Sequence, residues 1–296
     1  MLSDEEVGRR SRRLAGALEP VVGQVYFSPE CHRGYEALGF GPSPATRDGV
    51  ALPDGIAYFT SRGSALGEVP GEVVAATFGV FNPAVVVPCV TRGWELTDAA
   101  TIADVRLHGA TAQLTRILGH EPEAVDRVTE GLLEAGAPLR PEGRALYAGV
   151  LAQGLPGDPL GDLFRAGDRL REYRGDSHIG AWISAGFDAT EIGLLTELFI
   201  GLPLKTYVRS RAWSEDELDA ALERLEERGL VAGGAFTERG RAEREAVEAA
   251  TDRQLRPAIE ALGDEVDELV TRLSTWGAAV RQAGGYVSSP AQLHRG

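Results

Sequence analysis

Three short stretches hold the residues whose types and spacing could do chemistry. The first is Tyr173-Arg174-Gly175-Asp176-Ser177-His178-Ile179. Glycine is a poor helix former, so Gly175 is expected to break a helix and Asp176 to cap the next one. His178 then falls in a first turn, where the helix dipole disfavours an imidazolium. A neutral histidine beside a carboxylate reads as a general base. In that reading His178 is catalytic, Asp176 orients it, and Arg174 holds an anionic group. The second stretch is Tyr26-Phe27-Ser28-Pro29-Glu30-Cys31-His32. Cys31 at a helix start would have a lowered thiol pKa and could act as a nucleophile. Tyr26 and Glu30 would bind ligand; alternatively, Glu30 simply sits in the first turn of a hydrophobic helix. The third group is Tyr58, Phe59, Arg62, Phe78, Phe81 and Asn82. It would form an aromatic pocket with a few polar anchors, although each ring alone would serve equally as core. Arg62 in an apolar helix requires an anionic partner: Glu30, Glu72 or a ligand carboxylate.

Glu30, Cys31 or His32 could join Asp176 and His178 around a metal, but four ligands of known spacing are absent, so no metal site is expected. No motif names a cofactor. The chain has no P-loop, no GxGxxG after a strand, no GxSxG elbow and no HExxH. Nucleotide hydrolysis, dinucleotide redox chemistry and α/β-hydrolase chemistry are therefore not expected.

The elements that must position these residues are mostly helical. Residues 5–19 form a helical pattern ended by Pro20, residues 39–53 a loop, and residues 54–62 and 70–82 short helices. Residues 84–90 are β-branched and read as a strand or a buried helix turn. Long helices are expected over 97–119 and 121–136. The Gly/Pro-rich 153–160 is the candidate boundary between halves. Residues 161–185 read as helical with one interruption at Arg174-Gly175-Asp176. Asp188 should cap a helix over 188–201, and Ser214 with Glu217 makes a capping box for 214–228. Two helices over 241–262 and 264–283 precede a flexible tail from 285 to 296.

The 296 residues include 44 acidic and 30 basic ones, for a formal charge of −14. Such a surface repels phosphate backbones and anionic lipid at long range. The basic residues are nearly all arginine; Lys205 is the only lysine. Two cysteines, Cys31 and Cys89, make no disulfide framework. No signal-peptide core and no membrane-length apolar run appears, so a cytoplasmic protein is expected.

The segment from Leu218 through Leu222, Leu225 and Gly229 to Val231, followed by Phe236-Thr237-Glu238-Arg239-Gly240-Arg241, resembles the MarR family over about 65 residues. The resemblance implies a winged helix: a recognition helix, a short β-hairpin wing closed at Gly233-Gly234, then another helix. Two departures oppose DNA reading. Where a DNA reader exposes basic or amide side chains, this chain has Glu215, Asp216, Glu217 and Asp219. The wing, Val231 to Phe236, carries no charge. Arg209, Arg211, Arg239, Arg241 and Arg244 could form a basic edge. Most of the chain also resembles a set of actinobacterial helix-turn-helix proteins, through YFSPEC, FNPA, RGDSHI and TERGR. That resemblance implies a fold without an activity.

Two stretches look alike: Asn82-Pro83 to Trp94, and Leu202-Pro203 to Trp213. Leu139 to Arg144 likewise resembles Phe236 to Arg241. These suggest that the N-terminal half is a diverged winged-helix repeat. The expected layout is a mostly α protein with an N-terminal domain over 1–152 and a winged-helix domain over 161–284. A small organic molecule would bind between the halves and undergo acid/base chemistry. The other reading is a ligand-responsive MarR-type regulator, a homodimer built on the apolar stripes of 241–283.

Overall fold

The computed structural model describes residues 2–289. As expected, the chain is mostly α. The first helices are α1 (Asp4–Val22) and α2 (Pro29–Ala37). A small hairpin of β1 (Thr46–Arg47) and β2 (Val50–Ala51) lies in the expected loop. Then come α3 (Gly55–Gly63), α4 (Gly71–Phe78), α5 (Pro83–Trp94), α6 (Ala99–Leu118), α7 (Val125–Gly136) and α8 (Ala145–Ala152). The 26-residue α9 (Pro159–Ser184) runs through the middle of the fold. It leads to α10 (Ala189–Phe199), α11 (Glu215–Glu227), a hairpin of β3 (Val231–Ala232) and β4 (Ala235–Phe236), and α12 (Glu238–Gln254), α13 (Arg256–Leu262) and α14 (Val266–Gln282).

Local signals set most of the helix starts. Asp98, Asp188 and Ser214 cap α6, α10 and α11, the last two as full capping boxes. Gly233 and Gly234 close the β3–β4 hairpin with φ of 56° and 77°, a left-handed pair that favours glycine. Gly240 answers a close approach: a Cβ there would lie 1.9 Å from the Leu230 carbonyl oxygen.

Burial overrides local signals in several places. Residues 84–90 take the helical alternative and not the strand: they are the body of α5, started by the Asn82 cap and Pro83, with Val86 and Val90 buried. Pro20 does not end α1, which continues to Val22. Pro20 is buried where α1 packs on α14, against a glycine, Gly277, whose Cβ would lie 2.6 Å from its ring. Gly175 does not break α9. A helical glycine costs about 1 kcal/mol, and the burial of Phe164, Leu170, Tyr173 and Trp182 on the same helix outweighs that.

The largest core joins α1, α6, α7 and the first half of α9 to α13 and α14, from Leu14 and Phe164 to Leu273 and Trp276. A second core packs Trp182, Leu195, Leu218, Leu225 and Val247. A third is aromatic, around Phe59, Phe78 and Phe81. The apolar stripes of 241–283 that suggested a dimer are thus used largely inside the chain, Leu255, Ile259, Leu262, Val266 and Leu273 being core residues. The suggested duplication is not reproduced: residues 83–94 are helix, whereas 202–213 form a loop with a short 3-10 turn, Tyr207–Arg211. The start of the expected tail is packed. Val287 is buried, and the Tyr286 ring meets Phe27 edge-on at 5.3 Å. Residues 290–296 lie outside the described part.

Candidate functional site

The continuity of α9 puts Asp168, Glu172 and Asp176 on one face, each four residues from the next. All three are buried, at 0%, 2% and 9% exposure. Buried carboxylates need partners, and the surrounding helices bring them. Arg106 of α6 forms a two-bond pair with Asp168 at 2.8 and 3.2 Å. Arg62 of α3 and Arg171 of α9 both pair with Glu172, at 2.8 and 2.7 Å. Arg171 also reaches Glu19 at 3.0 Å. Burial opposes the charge on Glu172, but Arg62 and Arg171 together outweigh it and hold the carboxyl at about 2.

Asp176 differs from the other two. No cation pairs with it among the described residues. Its Oδ2 accepts from the Tyr147 backbone N–H at 3.0 Å, so α9 caps the start of α8, whose own Arg144 offers no side-chain cap. Burial raises its carboxyl to about 6; the bond from Tyr147 opposes the rise and nearby Glu172 adds to it. Asp176 also lines an open groove of about 480 Å³. One wall is α4, with Val73 and Ala76; the other is α9, with Ile179, Gly180 and Ile183. Val73 and Ile183 are 44% and 56% exposed and make part of the rim apolar; Glu72 and Thr77 line it too.

The residues chosen from sequence scatter. His178 and Asp176 do not touch. The uninterrupted α9 turns His178 toward α12, where its Nδ1 donates to the Thr251 hydroxyl at 3.1 Å. The Thr251 proton goes to the Val247 carbonyl, which fixes that assignment. Burial drops His178 to about 4. The cause is burial and not the expected first-turn position, since His178 lies in the body of α9. Arg174 is not open to a ligand: it pairs with Glu248 at 2.9 Å and Asp252 at 3.6 Å. Cys31 is fully buried, and burial pushes its thiol up to about 12, opposite to the expected activation. Glu30 pairs with Arg116 at 2.7 Å. Among the described residues, no cluster of three metal-ligating side chains exists.

The third group does assemble, as packed core. The Tyr26 and Tyr58 rings lie 5.0 Å apart, Tyr58 and Phe81 5.7 Å, and Phe78 and Phe81 6.2 Å. Arg62 stacks over Phe78 at 4.4 Å, and its ion partner is Glu172 and not Glu30 or Glu72. Asn82 caps α5 and joins the halves, its backbone N–H donating to the Arg211 carbonyl at 2.9 Å and its amide to Glu217 at 3.3 Å. Sequence reasoning missed Arg106, Asp168, Arg171 and Glu172. The four-residue spacing of Asp168, Glu172 and Asp176 was the available signal.

In the C-terminal half, α10 and α11 meet through Leu194, Leu195, Leu218, Ala221 and Leu225, and the hairpin follows. A family model described as a helix-turn-helix family matches residues 11–287. The chain belongs to that helix-turn-helix family. No curated protein and no solved structure matches it. In this helix-turn-helix protein α11 exposes Glu215, Asp216, Glu223, Glu226 and Glu227. Its nearby cations are spent on acids of the same unit: Lys205 on Asp219, Arg209 on Glu215 at 2.7 Å, Arg224 on Asp188 at 2.6 Å, and Arg228 on Glu191 at 3.0 Å. The turn before α11 is held by the N-terminal half, the Trp213 indole donating to the Val80 carbonyl at 2.9 Å. No helix among the described residues is long and apolar enough to cross a membrane.

Proposed function

We propose that this protein binds a small organic molecule in the groove between α4 and α9, and that Asp176 supplies acid/base chemistry there. One observation carries the reading: a carboxyl with a pKa near 6 lines a groove of about 480 Å³ whose walls are mostly apolar. Small-molecule sites have volumes of about 300–1,000 Å³, and a carboxyl shifted toward neutrality is suited to give and take a proton. Asp176 thereby takes the role that the sequence alone assigns to His178. The Arg62–Glu172 pair beneath it keeps that part of α9 fixed. The helix-turn-helix unit, a winged helix of MarR type in this reading, acts as scaffold. The acids exposed on α11 would meet phosphates of their own sign.

The test is mass spectrometry of small molecules that copurify with the full chain, compared with the Gly180→Trp variant. Gly180 has open space where a side chain would project, so the substitution fills the groove without disturbing the core. A compound held by the wild type and lost from Gly180→Trp is the expected result. Asp176→Asn should still hold it but fail to convert it. A compound retained equally by both proteins would place the site elsewhere.

A second reading is a ligand-responsive regulator that binds DNA as a dimer. The exposed Arg239 and Arg241 beside the hairpin favour it. It requires DNA affinity that falls steeply with salt and weakens on Arg239→Ala or Arg241→Ala.

A further inference from the structure

A second, much smaller cavity lies deeper along α9. Ser61 and Arg62, Ser64, Arg106, Gln153, Asp168 and Glu172 line it, and it encloses about 10 Å³. That is room for about one water-sized particle. The lining itself is balanced, Arg62 and Arg106 against Asp168 and Glu172, and the excess charge lies just behind it at Arg165, which bonds the lining residue Gln153. Arg62 and Arg171 are matched by Glu172 and Glu19. Arg106 and Arg165, 6% and 5% exposed, have one buried carboxylate between them, and Asp168 is already committed to Arg106. Arg165 has no carboxylate within ion-pair distance among the described residues; its Nη1 donates to the side-chain oxygen of Gln153. The Nε atoms of both Arg106 and Arg165 are buried without a hydrogen-bond partner among the described residues. Arg169, on the next position of α9 after Asp168, adds a further cation nearby and, among the described residues, hydrogen-bonds only the Leu151 carbonyl, at 3.4 Å. Burial brings Arg165 down to about 10, against the pull of Asp168 and with the push of Arg106 and Arg169.

A buried cation without a counter-charge is costly. We propose that this cavity takes up a small monovalent anion of about halide size, with Arg106 as its direct donor and Arg165 as the uncompensated charge that favours it. The size of the cavity excludes phosphate, sulfate and larger organic acids as whole molecules. The carboxylate end of an elongated molecule has the same chemistry as a halide and is the other source. This site is separate from the α4–α9 groove and stands or falls independently of it.

The experiment is thermal unfolding of the full chain at fixed ionic strength in sodium chloride, bromide, formate or gluconate. Chloride and bromide should raise the midpoint saturably, by roughly 2–5 °C over gluconate, as expected for a ligand that binds only the folded state. Arg165→Met should abolish the increment and also raise the midpoint in gluconate, because the unpaired charge is gone. If Arg165→Met does not fold, Ser64→Val fills the cavity without changing charge and should remove the increment equally. A crystal grown with bromide should show an anomalous peak beside Arg106. A formate increment exceeding that of the halides would assign the site to a carboxylate group. Equal midpoints in all four salts, with no bromide peak, would overturn the proposal.

Discussion

The Asp176 carboxylate on α9 accepts the backbone N–H of Tyr147, at 3.0 Å, and so caps a helix that begins 31 residues earlier in the chain, at Ala145. One side chain thus fastens α8 to α9 and also lines the groove. Its raised pKa has a thermodynamic consequence. The folded value of about 6 lies above the unfolded one of about 4. The stability tied to Asp176 is therefore full below pH 4 and lost as pH rises to 6. Asp176→Asn keeps an acceptor for Tyr147 and removes the buried charge. It should stabilise the protein at pH 7 by roughly 1–3 kcal/mol and flatten the pH dependence between 4 and 6. Urea unfolding across that window measures both; an unchanged slope would contradict the assignment.

His178 behaves oppositely. Its folded pKa of about 4 lies below the ordinary histidine value. The stability tied to it is present above pH 6.5 and is lost as pH falls through 4. NMR of the His178 ring should show a neutral imidazole protonated on Nδ1 at pH 7. Turnover of the groove ligand should survive His178→Gln. Loss of turnover with an unchanged thermal midpoint would return the catalytic role to His178.

Cys31 donates its thiol to the Arg106 carbonyl at 3.6 Å, and its pKa is raised to about 12. It should resist alkylation in the folded protein. Cys89 is only half-buried and should be modified first. Peptide mass spectrometry after iodoacetamide treatment, with and without denaturant, separates the two. Rapid native labelling of Cys31 would restore it as a candidate nucleophile.

Removing Glu172 strands Arg62, whereas removing Arg62 leaves Glu172 its second partner, Arg171. Glu172→Leu should cost about 3–5 kcal/mol, whereas Arg62→Met with Glu172→Leu should recover much of that loss. A double-mutant cycle by chemical denaturation gives the coupling. Additive losses would show that the pair is not a unit.

Gly180 sits inside α9 with open space around its missing Cβ. Gly180→Ala should therefore raise stability by about 0.5–1 kcal/mol, the cost of glycine in a helix. Because the added methyl group would stand in the groove, the same variant should weaken ligand binding. The two effects are read from unfolding and from retained ligand.

The chemistry of the site is only partly legible in the sequence. Chain proximity groups Tyr58, Arg62 and Phe78 correctly, and their side chains meet. Cys31 misleads because a helix start lowers a thiol pKa only where water or cations reach it, and here burial decides. The pairing of His178 with Asp176 fails because it rests on a broken helix. In a continuous one, positions two apart point in different directions.

By itself the sequence determined what depends on a few neighbouring residues. The Asp188 cap, the Ser214 capping box and the Gly233-Gly234 hairpin are set by bonds between near neighbours. Tertiary structure decided what depends on distant packing. Pro20 and Gly175 remain helical because their helices bury apolar faces against other parts of the chain. Arg62 finds Glu172 at a separation of 110 residues. The groove forms where α4 and α9, distant in the chain, come together beside Asp176. Burial and long-range pairing have free energies larger than a local helix preference, and neither can be read from residue order.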